Sequence, residues 1–274
     1  MQSLGVRYTR FSFGPKSDVA PLLARARELG YDQLEVDAQM VANLTPLGRK
    51  RLSLEARNHQ MDLSYTLTLP PSFALCSTDD EIHRAGQAYL QKIISSIGEM
   101  GGGSLNGALY GGFPCTWGMA SQHKQCFERS VQSLRMLSNY SNDEDVMLNI
   151  RPVNRYTHFL IHTAEQALLL VQAVNHPNCG IDLDTFHMNI EEANLEKAIL
   201  TAGIYLRCVH LRENTGGPFG SGCLRWSAIK EALDALHYEG SLIHAPSTGR
   251  EQEIAFYEGK RMKAFFNQKR PIQP

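Results

Sequence analysis

The sequence predicts an α/β fold: a single (β/α)8 TIM barrel forming one domain over residues 1–274. Three observations carry that prediction. Eight short β-rich runs alternate with eight helical patterns, which is the signature of parallel strands joined by helical crossovers. No low-complexity linker interrupts them. The length of 274 residues suits a fold that typically needs about 250.

The elements follow in order. Val6 to Phe11 reads as the first strand, and Asp18 to Leu29 as a helix with Val19, Leu22, Leu23 and Ala26 in register, stopped by Gly30. Gln33 to Ala38 is the second strand. Thr45-Pro46, an N-cap followed by proline at the first helical position, opens a helix to about His59. Leu63 to Leu69 is the third strand, ended by Pro70-Pro71. Thr78 and Glu81 read as a capping box for a long helix with Ile82, Ala85, Tyr89, Ile93 and Ile97 on one face, ended by Gly101-Gly102-Gly103.

Leu105 to Tyr110 is the fourth strand, and the glycine- and aromatic-rich loop from Gly111 to Gly118 suits either a pocket wall or an ordinary connection. A helix from Ser121 to Ser138 and a polar turn from Asn139 to Asp145 lead to the fifth strand, Val146 to Val153. Thr163 and Gln166 cap the next helix, with Ala167, Leu170, Val171 and Val174 inward. The apolar run Cys179 to Leu183 is the sixth strand, followed by a helix at Asn194 to Ala202. Leu206 to Leu211 is the seventh strand, Trp226 to Tyr238 a helix, Ser241 to Ala245 the eighth strand and Glu251 to Phe266 the last helix.

Composition narrows the ligand. Net charge is −1, the isoelectric point is near 6.8 and no block of like charges appears, which argues against nucleic acid and membrane partners and for a small molecule. No stretch has the length of a membrane span and the N-terminus has no targeting pattern, so a cytoplasmic protein is expected. The six cysteines contain no Cys-x-x-Cys pair, so free thiols are the default. Gly101 to Gly103 and Gly216-Gly217 lack nucleotide-binding spacing.

Active sites in this fold gather at the C-terminal ends of the strands. There the sequence places Arg151 and Asn154, Asp184 and His187, His210, and His244 with Ala245, so residues far apart in the chain become neighbours. A carboxylate and an imidazole three residues apart, as Asp184 and His187 are, serve as metal ligands, as catalytic groups or as structural caps. Glu35 reads as an ordinary strand-end carboxylate. Glu191 and Glu192 read as the start of the following helix, and His59, His83, His123, His158, His162, His176 and His237 read as solvated.

The segments Ile150-Arg151-Pro152-Val153-Asn154-Arg155-Tyr156, Leu183-Asp184-Thr185-Phe186-His187-Met188-Asn189-Ile190-Glu191-Glu192 and Val209-His210-Leu211-Arg212-Glu213-Asn214 resemble the ketose 3-epimerases acting on D-tagatose and D-psicose. These form a branch of the xylose-isomerase-like barrels, and the likeness runs from Gly5 to about Pro246. The resemblance implies one divalent ion held by two glutamates, an aspartate and a histidine, the glutamates doubling as acid and base at C3 of a ketose. It makes Asp184 and His210 metal ligands, His187 a sugar contact, and a homodimer or homotetramer the expected assembly.

The chain departs from the family pattern at several positions. Arg151 and Ala245 stand where the family has its two glutamates, and Thr157 replaces a sugar-binding glutamate. A sugar-binding arginine is replaced near Gly216, Arg7 falls where an aromatic residue is usual, and Phe113 takes the place of a tryptophan. An arginine ~4 Å from a divalent cation is repelled by several kcal/mol even at an effective dielectric of ~20. The sequence therefore predicts no tightly bound metal and an Arg151–Asp184 ion pair in its place.

The first reading is a member of this family that keeps a sugar-type pocket, with His187, Arg151, Arg7, Phe113 and Asn154 as substrate-binding residues, but has lost two-glutamate epimerisation and needs no cofactor. The alternatives are an active isomerase or epimerase and a non-catalytic scaffold or regulatory protein. The active enzyme would use His187, His210 or His244, with manganese, cobalt or magnesium as cofactor. The excess of Arg151, Arg7 and three histidines over Asp184 further predicts tolerance of an anionic sugar, unless Asp184 consumes Arg151 and Arg7 points to solvent.

Overall fold

A computed structural model describes residues 3–7, 20–245 and 257–268. The strands β1 (Leu4–Arg7), β2 (Gln33–Asp37), β3 (Asp62–Thr66), β4 (Gly103–Gly107), β5 (Val146–Ile150), β6 (Cys179–Asp184), β7 (Leu206–Leu211) and β8 (Ser241–His244) close in sequence order into a barrel. Every neighbouring pair is parallel, and β8 returns to β1 through Leu4, Gly5 and Val6. The barrel anticipated from alternation alone is therefore the one observed.

The helices are α1 (Ala20–Glu28), α2 (Ala38–Asn43), α3 (Pro46–Asn58), α4 (Asp80–Gly98), α5 (His123–Asp143), α6 (Ala164–Val174), α7 (Thr185–Glu191), α8 (Leu195–Ala202), α9 (Trp226–Ala235) and α10 (Gly259–Asn267). Thr45 caps α3 ahead of Pro46, and Thr163 and Gln166 form the full capping box of α6, both as the sequence implies. No helix among the described residues is long and apolar enough to cross a membrane.

Several boundaries differ from expectation. The distal part of the first strand, to Phe11, the start of the first helix, and the start of the last helix at Glu251 lie outside the described residues. The sequence does not show the short helix α2, because six residues give too little periodicity to read, and it does not separate α7 from the helix that follows it. The segment from Asn139 is no turn: α5 continues to Asp143, its polar residues lying on a helix whose other face buries Leu134, Leu137, Ser138 and Ser141. Glu191 and Glu192 close α7 rather than open α8, whose N-cap is Asn194.

The cap of α4 is Asp79, one residue beyond the Thr78 anticipated. Its Oδ1 accepts from the N–H groups of Glu81 (2.8 Å) and Ile82 (3.2 Å), satisfying two orphan donors of the first turn. Asp79→Ala is expected to cost about 1 kcal/mol in chemical denaturation, and Thr78→Ala close to none. Equal losses from the two would show the cap to be misassigned.

What positions the site is the alternation along each strand. Leu34, Val36, Ile181, Leu183, Val209 and Leu211 are buried and face the helices. The residues between them face the axis, since Asn106 of β4 and His210 of β7 both bond Glu35 of β2, and only the barrel interior joins strands that are not neighbours. Barrel interiors are ordinarily filled by Val, Ile and Leu. This one holds Glu35, Asn106, Asn149, Asp182 and His210, all at 0–1% exposure.

Candidate functional site at the barrel mouth

His210 is the centre of the buried polar cluster. Its Nδ1 lies 2.6 Å from Asp182 Oδ1 and its Nε2 lies 2.9 Å from Glu35 Oε2. Both ring nitrogens meet carboxylate oxygens, and both can donate only as the imidazolium. Burial and the Arg151 charge push the imidazole down, but Asp182 and Glu35 outweigh them and hold its pKa above the ordinary value. Burial alone would raise the Glu35 carboxyl; His210, Arg7 and Arg151 reverse that and hold it at about 2.

Arg151 follows β5 directly, and its backbone N–H donates to Gly107 O at 2.9 Å. Gly107 has φ +149° and packs against the carbonyl of Leu67 so closely that a Cβ would not fit, which fixes the strand end that Arg151 leans on. The guanidinium donates through Nε (2.7 Å) to Asp182 Oδ2, with Nη2 2.6 Å from the same oxygen. Nη2 is also 2.9 Å from both His210 nitrogens. Because those N–H groups point at carboxylates, this is a packing contact between two cations, made tolerable by Asp182 touching both.

The expected Arg151–Asp184 pair is thus an Arg151–Asp182 pair. Asp182 and Asp184 lie on the same face of β6, two residues apart, and the deeper one takes the guanidinium. Asp184 instead caps α7, with Oδ1 accepting from Phe186 N at 2.9 Å. Burial would raise its carboxyl, but His187, Arg151 and His210 outweigh that and hold it at about 2.

Most of the expected cation excess is met inside the barrel. Arg7, Arg151 and the His210 imidazolium meet Glu35, Asp182 and Asp184, while Arg212, whose charge also acts on Asp184, lies over the Phe186 ring. Arg7 does not simply face solvent: its Nε is 3.7 Å from Glu35. The Asn106 amide bonds Glu35 (2.9 Å), and Asn149 bonds Asn106 (2.9 Å), extending the cluster across the interior.

At the rim, Asn154 donates through its backbone N–H (3.1 Å) and Nδ2 (2.9 Å) to His187 Nδ1. That nitrogen is therefore the acceptor, and the ring's proton sits on Nε2. Burial lowers the His187 pKa, so the ring is held neutral. Phe113 lies on the loop after β4 with its ring 5.1 Å from His158. Contrary to expectation His158 is buried, enclosed by Tyr110, Phe113 and Phe159, and burial lowers its pKa to about 4. The absence of a Cβ at Gly111 lets the loop close on the His158 ring. His83 is buried as well, bonded to Leu75 O.

His244 does not join this cluster. It pairs in register with Val6 and shares the outward face of β8, where Tyr31 Oη meets its Nδ1 at 3.0 Å and Glu258 stands 3.9 Å from Nε2. Ala245, the next residue, takes the inward-facing position. As a catalytic candidate His244 is on the wrong side of the strand.

Sequence reasoning missed Asp182, Asn106 and Asn149 and undervalued Glu35. A signal was available: Leu34-Glu35-Val36-Asp37, Leu105-Asn106, Leu148-Asn149-Ile150-Arg151, Ile181-Asp182-Leu183-Asp184 and Val209-His210 all alternate apolar and polar residues. One further grouping, Asp182, Cys208 and His210, brings three possible ligand atoms within 4.8 Å of one another. Arg151 already occupies the Asp182 side of it.

A family model described as xylose isomerase-like TIM barrel matches residues 23–260. The D-psicose 3-epimerase of Enterocloster bolteae is 30% identical over 84% of this chain and 77% of its own length. A crystal structure of D-psicose 3-epimerase in the presence of D-fructose superposes with a TM-score of 0.89 at 23% identity, covering 97% of this chain and 99% of that one. A D-psicose 3-epimerase with D-tagatose from Clostridium cellulolyticum has a TM-score of 0.87 at 25% identity over 97% and 98%. This chain belongs to the xylose isomerase-like TIM-barrel family, among its ketose 3-epimerase-like sugar isomerases and epimerases.

Proposed function

We propose that this protein binds a ketose-type sugar at the C-terminal mouth of the barrel and does not epimerise it by the two-glutamate, metal-dependent route. The observation that carries the reading is the guanidinium of Arg151, buried on Asp182 and against His210. A divalent ion there would meet a fixed positive charge and an imidazole whose two nitrogens both donate to carboxylates, whereas a metal-bound histidine must be deprotonated. The residues that the resemblance makes metal ligands, Asp184 and His210, therefore do not fit an ion while Arg151 is in place.

Binding chemistry remains. The contacts of Arg151 run through Nε and Nη2, leaving its other terminal nitrogen as a donor edge. His187 offers Nε2–H, and Asp184 offers the carboxylate oxygen that does not cap α7. Donors beside an acceptor suit the hydroxyls and carbonyl of a ketose, and Phe113 supplies an apolar wall. With Arg7, Arg151 and the His210 imidazolium matched by Glu35, Asp182 and Asp184, most of the positive charge is already spent inside the barrel, which favours a neutral sugar over a phosphate or sugar acid, reversing the expectation from the sequence.

Turnover is a different matter, since a carboxyl held at about 2, like that of Asp184, is a weak base for a C–H proton. Elemental analysis after incubation with manganese, cobalt or magnesium is expected to find no stoichiometric ion. Calorimetry should detect D-fructose or D-tagatose without conversion to the C3 epimer. One ion per chain, or epimer accumulating with added metal, would overturn the reading.

A further inference from the structure

We propose that Glu191, acting through Arg155, is a positioning residue that holds His187 as a fixed Nε2–H donor at the barrel mouth. The sequence reads Glu191 as a helix-start charge, yet the structure spends the whole carboxylate on one neighbour. Its Oε1 accepts the backbone N–H of Arg155 at 2.6 Å, and the guanidinium closes on both oxygens, Nε at 3.0 Å from each and Nη2 at 2.8 Å from Oε2. Such a fork-shaped, charge-assisted contact fixes geometry as well as distance. The Arg155 guanidinium also holds the Glu191 carboxyl below its ordinary pKa.

What this clamp fixes is the residue before it. Arg155 follows Asn154, whose backbone N–H and Nδ2 are the two donors to His187 Nδ1. The orientation of the Asn154 amide is set by its own oxygen, which accepts from Tyr156 N (3.2 Å) and Thr157 Oγ1 (2.9 Å). Glu191 and His187 are both on α7, so the clamp ties the end of this helix to the loop after β5 and seats the donors against the ring. With Nδ1 committed as acceptor, the neutral ring has one place for its proton, and Nε2–H becomes a donor of fixed direction. Without the clamp, His187 is free to exchange tautomers and would offer a lone pair there part of the time.

The inference rests on the sugar-binding reading only for its ligand arm; the tautomer is a property of the free protein. Protein labelled with 15N-histidine would be compared with Glu191→Gln and Thr157→Val by long-range proton–nitrogen correlation at pH 8, together with calorimetric titration of D-tagatose. Glu191 ends α7, Thr157 lies half-buried in the loop after β5, and glutamine and valine keep the shapes of the residues they replace, so both variants are expected to fold.

The wild type should show one neutral form, protonated at Nε2. Both variants should show a second form protonated at Nδ1, with D-tagatose bound about tenfold more weakly. A wild-type ring protonated at Nδ1, or both variants retaining the single Nε2–H form, overturns the proposal. Tautomer changes as expected in proteins that bind no D-tagatose at all would uphold the clamp and sink the ligand reading instead.

Discussion

Arg151→Met is expected to destabilise the protein by about 3–5 kcal/mol, the usual cost of breaking a buried ion pair by removing one partner. Methionine reaches nearly as far as arginine, so little volume is lost and the effect isolates the charge. Asp182 would keep only the His210 imidazolium, and Glu35, Asp182 and Asp184 would face two cations instead of three. Arg151→Lys should recover only part of the loss, because an ammonium cannot place Nε and Nη2 on one oxygen and still span to His210. Asp182→Asn in the Arg151→Met background should cost less than it does alone, since the two residues share one interaction, and the cycle should give a coupling of about 1–3 kcal/mol. Denaturant unfolding of the four proteins measures it. Additive losses, or a loss below about 1 kcal/mol for Arg151→Met, would mean the guanidinium does not neutralise the barrel interior, and the argument against metal would fall with it.

The barrel was legible because alternation of strand and helix patterns survives errors at every boundary: shifting β1 or extending α5 changes no connection. The mouth residues Arg151, Asp184, His187 and His210 were legible from their placement at strand ends and from the family resemblance. The partners were not. Asp182 went unremarked inside a run read as apolar, because a barrel axis filled with charge runs against ordinary filling by branched aliphatics. Which of two aspartates on one strand face takes the guanidinium depends on depth along β6, which spacing does not encode. Nor does a lone histidine announce its surroundings. His158 owes its burial to an aromatic cage assembled from two separate loops, and His244 owes its outward direction to a single step of strand parity.

Those two histidines carry the second large expectation, a fall in stability on mild acidification. Burial lowers both to about 4 in the folded protein, against about 6.5 for an exposed imidazole. Above pH 6.5 neither state binds the proton and nothing is lost. Between 6.5 and 4 the unfolded chain takes up protons that the folded one refuses, so stability falls with falling pH, by roughly 3 kcal/mol per histidine at the lower end. His210 works in the opposite sense. Its raised pKa gives a contribution present below pH 6.5 and lost as the pH rises through the folded value, so it cannot cancel the acid loss. Glu35 and Asp184, held at about 2, add their own losses only once the pH drops below the ordinary carboxylate range. Denaturant midpoints at pH 7.5, 6.5, 5.5 and 4.5 should therefore show no decline from 7.5 to 6.5, where His210 gains its proton, then a fall from 6.5 to 5.5, above the carboxylate range, and His244→Phe should flatten that fall by about half. A stability flat from pH 7 to 5 would place both rings in contact with water or with an acceptor that charges them. The aromatic cage of His158 and the Tyr31 contact of His244 would then be looser than the structure draws them.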